Sequence, residues 1–255
     1  MRDHLETFTT VYRKQIWGNG SGSGSSAKYN RKYIEFLERF IATNKIANVI
    51  DFGCGDWQFS KEVDWSGVKY VGVDVVESVI DENIERYAKD NISFVCDGIQ
   101  DVREVNKYLG KERQLVLLKD VLQHWSDDEL LPWLESFINL EFDYAIVTNG
   151  YKHWRCPKRN GSKRNIDNEY SYAPLDLLQE PFKKFGFVDA LYYRYKKAML
   201  YDNTNGTTKT AKDNQCYSRC PYCASPLSVV QVHGHSQCAA CKTNVQPCCD
   251  GTALR

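Results

Sequence analysis

Charge of one sign is the first thing this chain lacks. Lys and Arg number 33, Asp and Glu number 33, in 255 residues. No global field therefore draws it onto nucleic acid or an anionic membrane, and only a local patch could do so. Long apolar runs are also missing. Nothing approaches the ~18 consecutive apolar residues of a membrane helix. The start, Met1-Arg2-Asp3-His4-Leu5-Glu6, has no apolar core of a secretory signal. The expectation is a cytoplasmic protein with no membrane partner, in which a secreted disulfide scaffold has no place.

What is present suits a globular enzyme. The apolar fraction is 42%, ordinary for a soluble domain, and the length allows one α/β domain plus a small appendage. Residues 1–28 form an arm that ends in the Gly/Ser-rich stretch Trp17 to Ser26. That composition fits a flexible linker or a loop closing over a ligand. From Tyr29 to Lys45, apolar residues at three- and four-residue spacing predict an amphipathic helix. Short apolar runs then predict strands at 47–51, 68–74, 92–96, 115–118 and 144–148. Helical stretches separate them, among them one over 127–140 with Ser126 as its N-cap. Such alternation implies a parallel sheet covered on both faces. Two adjacent β-rich runs, 187–195 and 196–201, predict a closing antiparallel hairpin. The result is a Rossmann-like, seven-stranded mixed sheet over residues 29–201. A polar linker follows at 202–215, then a small module at 216–255.

In an open parallel sheet, ligands bind beyond the carboxyl ends of the strands. The first strand ends in Asp51-Phe-Gly-Cys-Gly55, whose glycines allow a tight turn and close approach to a ligand. The dinucleotide fingerprint is incomplete, because Gln58 stands where its third glycine belongs. The second strand ends at Asp74, nineteen residues after Gly55, where a carboxylate can accept from both ribose hydroxyls. The third ends in Cys96-Asp97-Gly98, within reach of an exocyclic adenine amine.

Val49-Ile-Asp-Phe-Gly-Cys-Gly55, Val71-Gly-Val-Asp74, Val95-Cys-Asp97 and Leu117-Leu-Lys-Asp-Val-Leu-Gln-His-Trp125 together resemble the class I S-adenosylmethionine-dependent methyltransferases, over roughly residues 30–201. The resemblance implies that Gly53 and Gly55 pass the methionine moiety, Asp74 holds the ribose and Asp97 the adenine. Asp51, Val75 and Gly98 complete the expected cofactor set. Lys119 to Asp127 is similar to the segment of small-molecule O-methyltransferases in which a histidine deprotonates a hydroxyl. That histidine lies two residues before the tryptophan. Here Gln123 occupies its place and His124 follows. His124, with an unperturbed imidazole pKa of ~6.5, and Asp120 are the candidate catalytic residues. His153 is the rival base.

The acceptor is less defined. Residues 151–164 hold Lys152, Arg155, Lys158, Arg159, Lys163 and Arg164, no acid, and the aromatic Tyr151 and Trp154. This suits a small-molecule or glycan-type anionic acceptor, or RNA, and equally a solvated charged loop. Asn149 is not followed by Pro-Pro-Tyr or Pro-Pro-Phe, so the signature of adenine-N6 and glutamine methyltransferases is absent.

Ten cysteines are present, and seven lie in the last forty residues. Cys220-Pro-Tyr-Cys223 and Cys238-Ala-Ala-Cys241, with fourteen residues between the inner cysteines, have the spacing of a tetrahedral structural Zn²⁺ site. The strand at 229–232 between them completes a zinc-ribbon-like module. Cys216, Cys248, Cys249, His233 and His235 are left over. Arg219, Lys242 and Arg255 against Asp250 make a thin footprint for RNA. Docking, dimerisation and covering of the active site all remain open roles for the ribbon.

Overall fold

The computed structural model describes residues 4–102, 105, 107–151, 172–204, 223, 225, 228–232 and 235–243. Helix α1 (His4–Arg13) is followed by a 3-10 turn at Ser23–Ser25 and by α2 (Ala27–Asn44). Strands β1 (Asn48–Phe52), β2 (Lys69–Asp74), β3 (Ile92–Cys96), β4 (Gln114–Lys119) and β5 (Tyr144–Gly150) alternate with α3 (Glu77–Tyr87) and α4 (Asp127–Phe137). The hairpin β6 (Val188–Tyr193) and β7 (Lys196–Asp202) closes the sheet.

The strand order is β3-β2-β1-β4-β5-β7-β6. β1 to β5 run parallel, and β7 is antiparallel to both β5 and β6. Every residue of β4 is buried, as a strand covered on both faces requires. Leu115 and Leu117 point to one core with Tyr33, Phe36, Leu37 and Phe40 of α2. Val116 and Leu118 point to the other with Leu130, Trp133, Leu134 and Phe137 of α4. Each such fully buried side chain contributes ~1.5–3 kcal/mol of transfer free energy. α4 starts where Ser126 predicts. Ser126 Oγ accepts from Glu129 N at 3.4 Å, and Ser126 N donates to Glu129 Oε2 at 3.0 Å, a reciprocal capping box.

Strand order reverses between β1, which neighbours β2, and β4, which continues to β5. The crevice at this switch point is where an open α/β sheet binds ligands. The loops after the two strands approach closely there: a Cβ on Gly53 would lie 2.3 Å from Val121 Cγ2.

The polar stretch after β7 begins docked to the loop that leads into β5. Asn203 Nδ2 donates to Leu140 O and Phe142 O at 3.2 and 3.0 Å. The remainder of the expected linker, 205–215, lies outside the described residues. Beyond it, β8 (Val229–Val232) and β9 (His235–Cys238) form an antiparallel pair. No helix among the described residues is long and apolar enough to cross a membrane.

Candidate functional site

One cavity of about 680 Å³ opens along the carboxyl edge of the sheet. Asp51, Gly53, Gly55, Asp74, Val75, Asp97, Asp120 and His124 all line it. Gly98 does not; its N–H donates to Asp97 Oδ1 at 2.8 Å.

The glycine loop explains its own composition. Gly53 and Gly55 have φ of 73° and 56°, the left-handed region that a Cβ disfavours. Gly55 N donates to Asp74 Oδ2 at 3.0 Å, and Val76 N donates to Asp74 Oδ1 at 3.1 Å. Asp74 thus ties the turn after β1 to the turn after β2. Its burial raises the carboxyl pKa even though these N–H groups oppose the rise. Asp97 Oδ2 accepts from Tyr108 OH at 2.7 Å and pairs with Lys107. Against the upward push of burial, these partners hold Asp97 below the usual carboxylate range. Asp51 is buried and accepts from Tyr70 OH at 2.8 Å. Burial pushes it up to about 6, with Tyr70 and Lys119 limiting the rise.

The opposite wall comes from β4, β7 and the arm. Asp120 sits in the left-handed region at φ 62°, unusual for a residue with a side chain. Its Oδ2 accepts from Lys119 Nζ at 2.6 Å and also from Lys196 Nζ. Lys196 reaches the cavity because β7 starts opposite Gly150, at the carboxyl end of β5. Burial opposes Asp120's charge, but the two ammonium groups hold it at about 2.

His124 lies in a short 3-10 turn (Leu122–His124) and is buried. Its ring stacks on Trp17 at 5.2 Å and meets Phe8 and Tyr172 edge-on at 5.4 and 6.2 Å. Gln123, which holds the histidine's place in the similar enzymes, has a different task. Its Oε1 accepts from Gly150 N at 2.6 Å, and its carbonyl accepts from Ala173 N at 3.0 Å. The side chain thereby joins the β4 turn to the end of β5.

Composition leaves the arm a linker or a closing loop and singles out none of its side chains. Ser21 N donates to Asp56 Oδ2 at 3.1 Å, while Asp56 N donates to Ser21 Oγ at 3.2 Å. Tyr12 OH and Ser21 Oγ lie 2.6 Å apart. Asn30 Nδ2 donates to Gly24 O and Ser26 O at 2.9 and 2.8 Å. The Gly/Ser stretch therefore forms a wall of the cavity against the glycine loop. Its signal was the aromatic residues flanking it, Tyr12 and Trp17, which a mere spacer does not need.

Away from this cavity, the thiols of Cys223, Cys238 and Cys241 lie within 4.8 Å of one another, an arrangement that could hold a metal ion. Cys223 Sγ and Cys238 Sγ are 3.8 Å apart. Two thiolates at ~2.3 Å from a tetrahedral zinc would be about 3.8 Å apart. Cys220, His153, His233, Cys216, Cys248, Cys249 and the basic stretch 152–164 lie outside the described residues.

Comparison of the sequence with family models and with curated proteins finds no match. Solved structures do match. The fold is similar to that of a Burkholderia thailandensis 1,6-didemethyltoxoflavin-N1-methyltransferase solved with bound 1,6-didemethyltoxoflavin and S-adenosylhomocysteine. The TM-score is 0.51 at 14% identity, covering 79% of this chain and 87% of that one. It is similar also to the bifunctional kinase-methyltransferase WbdD, with a TM-score of 0.51 at 16% identity over 71% of this chain and 41% of that one. The fold is that of the class I S-adenosylmethionine-dependent methyltransferases. In a class I sheet, three acidic turns at the ends of β1, β2 and β3 fall beside one another because those strands are neighbours.

Proposed function

We propose that this protein transfers a methyl group from S-adenosylmethionine to an oxygen of a small-molecule or glycan-type acceptor that carries negative charge. The observation that carries the reading is the gathering of Gly53, Gly55, Asp74 and Asp97 around one cavity. The donor set fits the cofactor. Asp74 and Asp97 offer carboxylate oxygens to hydroxyl and amine donors, and neither glycine has room for a Cβ. Four carboxylates on that side also suit a ligand with a sulfonium and an ammonium group. In this reading Gly53 and Gly55 pass the methionine moiety, Asp74 with Val75 holds the ribose, and Asp97 with Gly98 the adenine. Asp51 supports the loop through its bond to Tyr70.

When bound, S-adenosylmethionine supplies an electrophilic methyl group. His124 receives the acceptor's hydroxyl proton on a ring nitrogen. Phe8, Trp17 and Tyr172 orient that ring and keep water from it. Asp120 holds Lys119 and Lys196 at the acceptor side. The test is incubation of the protein with a metabolite extract and labelled methyl donor, followed by mass spectrometry. A labelled O-methyl product is expected. Failure of S-adenosylhomocysteine to bind by calorimetry would overturn the reading.

We also infer a structural Zn²⁺ held by Cys220, Cys223, Cys238 and Cys241, supported by the three converging thiols. A module of this size has too small a core to fold without such a staple. Metal analysis is expected to find one zinc per chain, falling to none in a Cys223→Ser, Cys238→Ser double variant. Zinc-free protein as purified would refute the site.

A further inference from the structure

The acceptor side of the cavity carries more positive charge than its partners match. Lys119 and Lys196 both bond one oxygen of one carboxylate, Asp120 Oδ2. Lys196 Nζ donates its other described bond to the uncharged Gly24 O at 3.1 Å. Lys119 Nζ lies 4.8 Å from the centre of the Phe59 ring. A third cation, Arg194, lines the same side, its guanidinium 3.5 Å from the centre of the Tyr29 ring. Among the described residues, Asp120 is the one carboxylate paired with either lysine. Asp51 is hydrogen-bonded by Tyr70 and feels the Lys119 charge without forming an ion pair with it.

We propose that Lys196, with Lys119 and Arg194, forms a seat for an oxyanion of the acceptor, a carboxylate or a phosphate, and that Asp120 holds the lysines in place until it binds. The proposal rests on the methyltransferase reading and specifies its acceptor. Lysine ammoniums serve as point-charge donors to such groups, and a partly buried charged hydrogen bond is stronger than a neutral one. The aromatic rings of Trp17, Tyr29 and Tyr172 on the same cavity would cover the apolar body of the acceptor. The geometry also explains the strained backbone of Asp120. Its left-handed φ turns a single carboxylate toward two lysines from different strands, and such strain collects at functional sites. Lys196 sits at about 7, below the ordinary lysine range, because burial and the Lys119 ammonium oppose its charge more than Asp120 supports it. An arriving anion relieves this opposition.

The probes are inorganic phosphate and benzoate, titrated at constant ionic strength into protein saturated with S-adenosylhomocysteine. Binding of at least one is expected in the millimolar range. Lys196→Gln should weaken it by about 10- to 100-fold, the worth of one charged hydrogen bond. Lys196→Arg should retain most of it. Asp120→Asn should strengthen it, since it removes the competing carboxylate; a merely structural role for Asp120 would give the opposite sign. Benzoate binding alone would assign the seat to carboxylates, and phosphate binding alone to phosphoryl groups. The seat is refuted if neither probe binds, or if Lys196→Gln binds them as well as the parent does. It is also refuted if Lys196→Gln weakens S-adenosylhomocysteine while leaving 5′-methylthioadenosine unchanged, because the lysine would then serve the cofactor's own carboxylate. If S-adenosylhomocysteine does not bind the parent protein, the cofactor reading falls. The seat is then judged by the same probe titration on the unliganded protein.

Discussion

The two walls of the cavity are opposites in charge. The wall built by β1, β2 and β3 presents Asp51, Asp56, Asp74 and Asp97, and the wall built by β4, β7 and the hairpin turn presents Lys119, Lys196 and Arg194 around the single carboxylate of Asp120. Each is uncomfortable alone. Burial raises Asp51 and Asp74 on one side and lowers Lys196 on the other. Shifts of this kind on both walls are what a site for charged occupants would show. A cationic donor on the first wall and an anionic acceptor on the second would compensate both. The methyl group would then pass along the line between them, near His124.

The two walls can be perturbed separately. On the labelled acceptor, His124→Ala is expected to lower kcat by about 10²- to 10⁴-fold while leaving S-adenosylhomocysteine affinity unchanged. Near-normal turnover would remove His124 from the chemistry. Asp74→Ala should do the converse. It should weaken S-adenosylhomocysteine by at least about 100-fold by calorimetry, the loss of two charge-assisted hydrogen bonds. Unchanged affinity would dissolve the acidic wall as a donor site.

Smaller effects sharpen the comparison. Asp51 is held at about 6 when folded, against ~3.9 when unfolded. Between these values the native state keeps a proton that the unfolded chain has released, so stability falls as pH rises from about 4 to about 6. Two units correspond to up to about 3 kcal/mol. Asp51→Asn should flatten that slope and raise Tm at pH 8. Equal slopes in urea melts of both proteins would show that Asp51 carries no such strain. Gly55→Ala should cost about 1–2 kcal/mol for a side chain in the left-handed region. Its Cβ would also lie 2.4 Å from Ser21 Oγ. A Tm equal to that of the parent would mean that the arm yields freely.

Much of this architecture could be read from periodicity. β3 falls at the expected 92–96, and β4 and β5 extend one to two residues beyond their apolar runs. They run on because Lys119, Asn149 and Gly150 continue the ladder after apolar patterning has ended. The acidic wall was legible for a simple reason. Its members sit at the ends of consecutive strands, and parallel neighbours bring such ends together. The lysine wall was not. Lys119 and Lys196 are distant in sequence, and only the antiparallel return of β7 beside β5 sets them against one carboxylate. The basic residues expected at 152–164 lie outside the described residues; among the described residues, the cations that line the cavity are Lys119, Arg194 and Lys196.

The arm marks the same boundary. Its glycines and serines are equally compatible with a spacer and with a cavity wall, because composition states what a backbone can do and not what it does. Tertiary contacts chose the wall, through Ser21 on Asp56, Asn30 on Gly24 and Trp17 on His124. Local pattern was enough for the strands, the cap at Ser126, the left-handed glycines and the acids at the strand ends, since each depends on neighbours in the chain or on one rule of sheet topology. The pairing of charges across the cavity and the task of Gln123 depend on which strands become neighbours and how closely their loops approach. Those distances exist only in the folded chain.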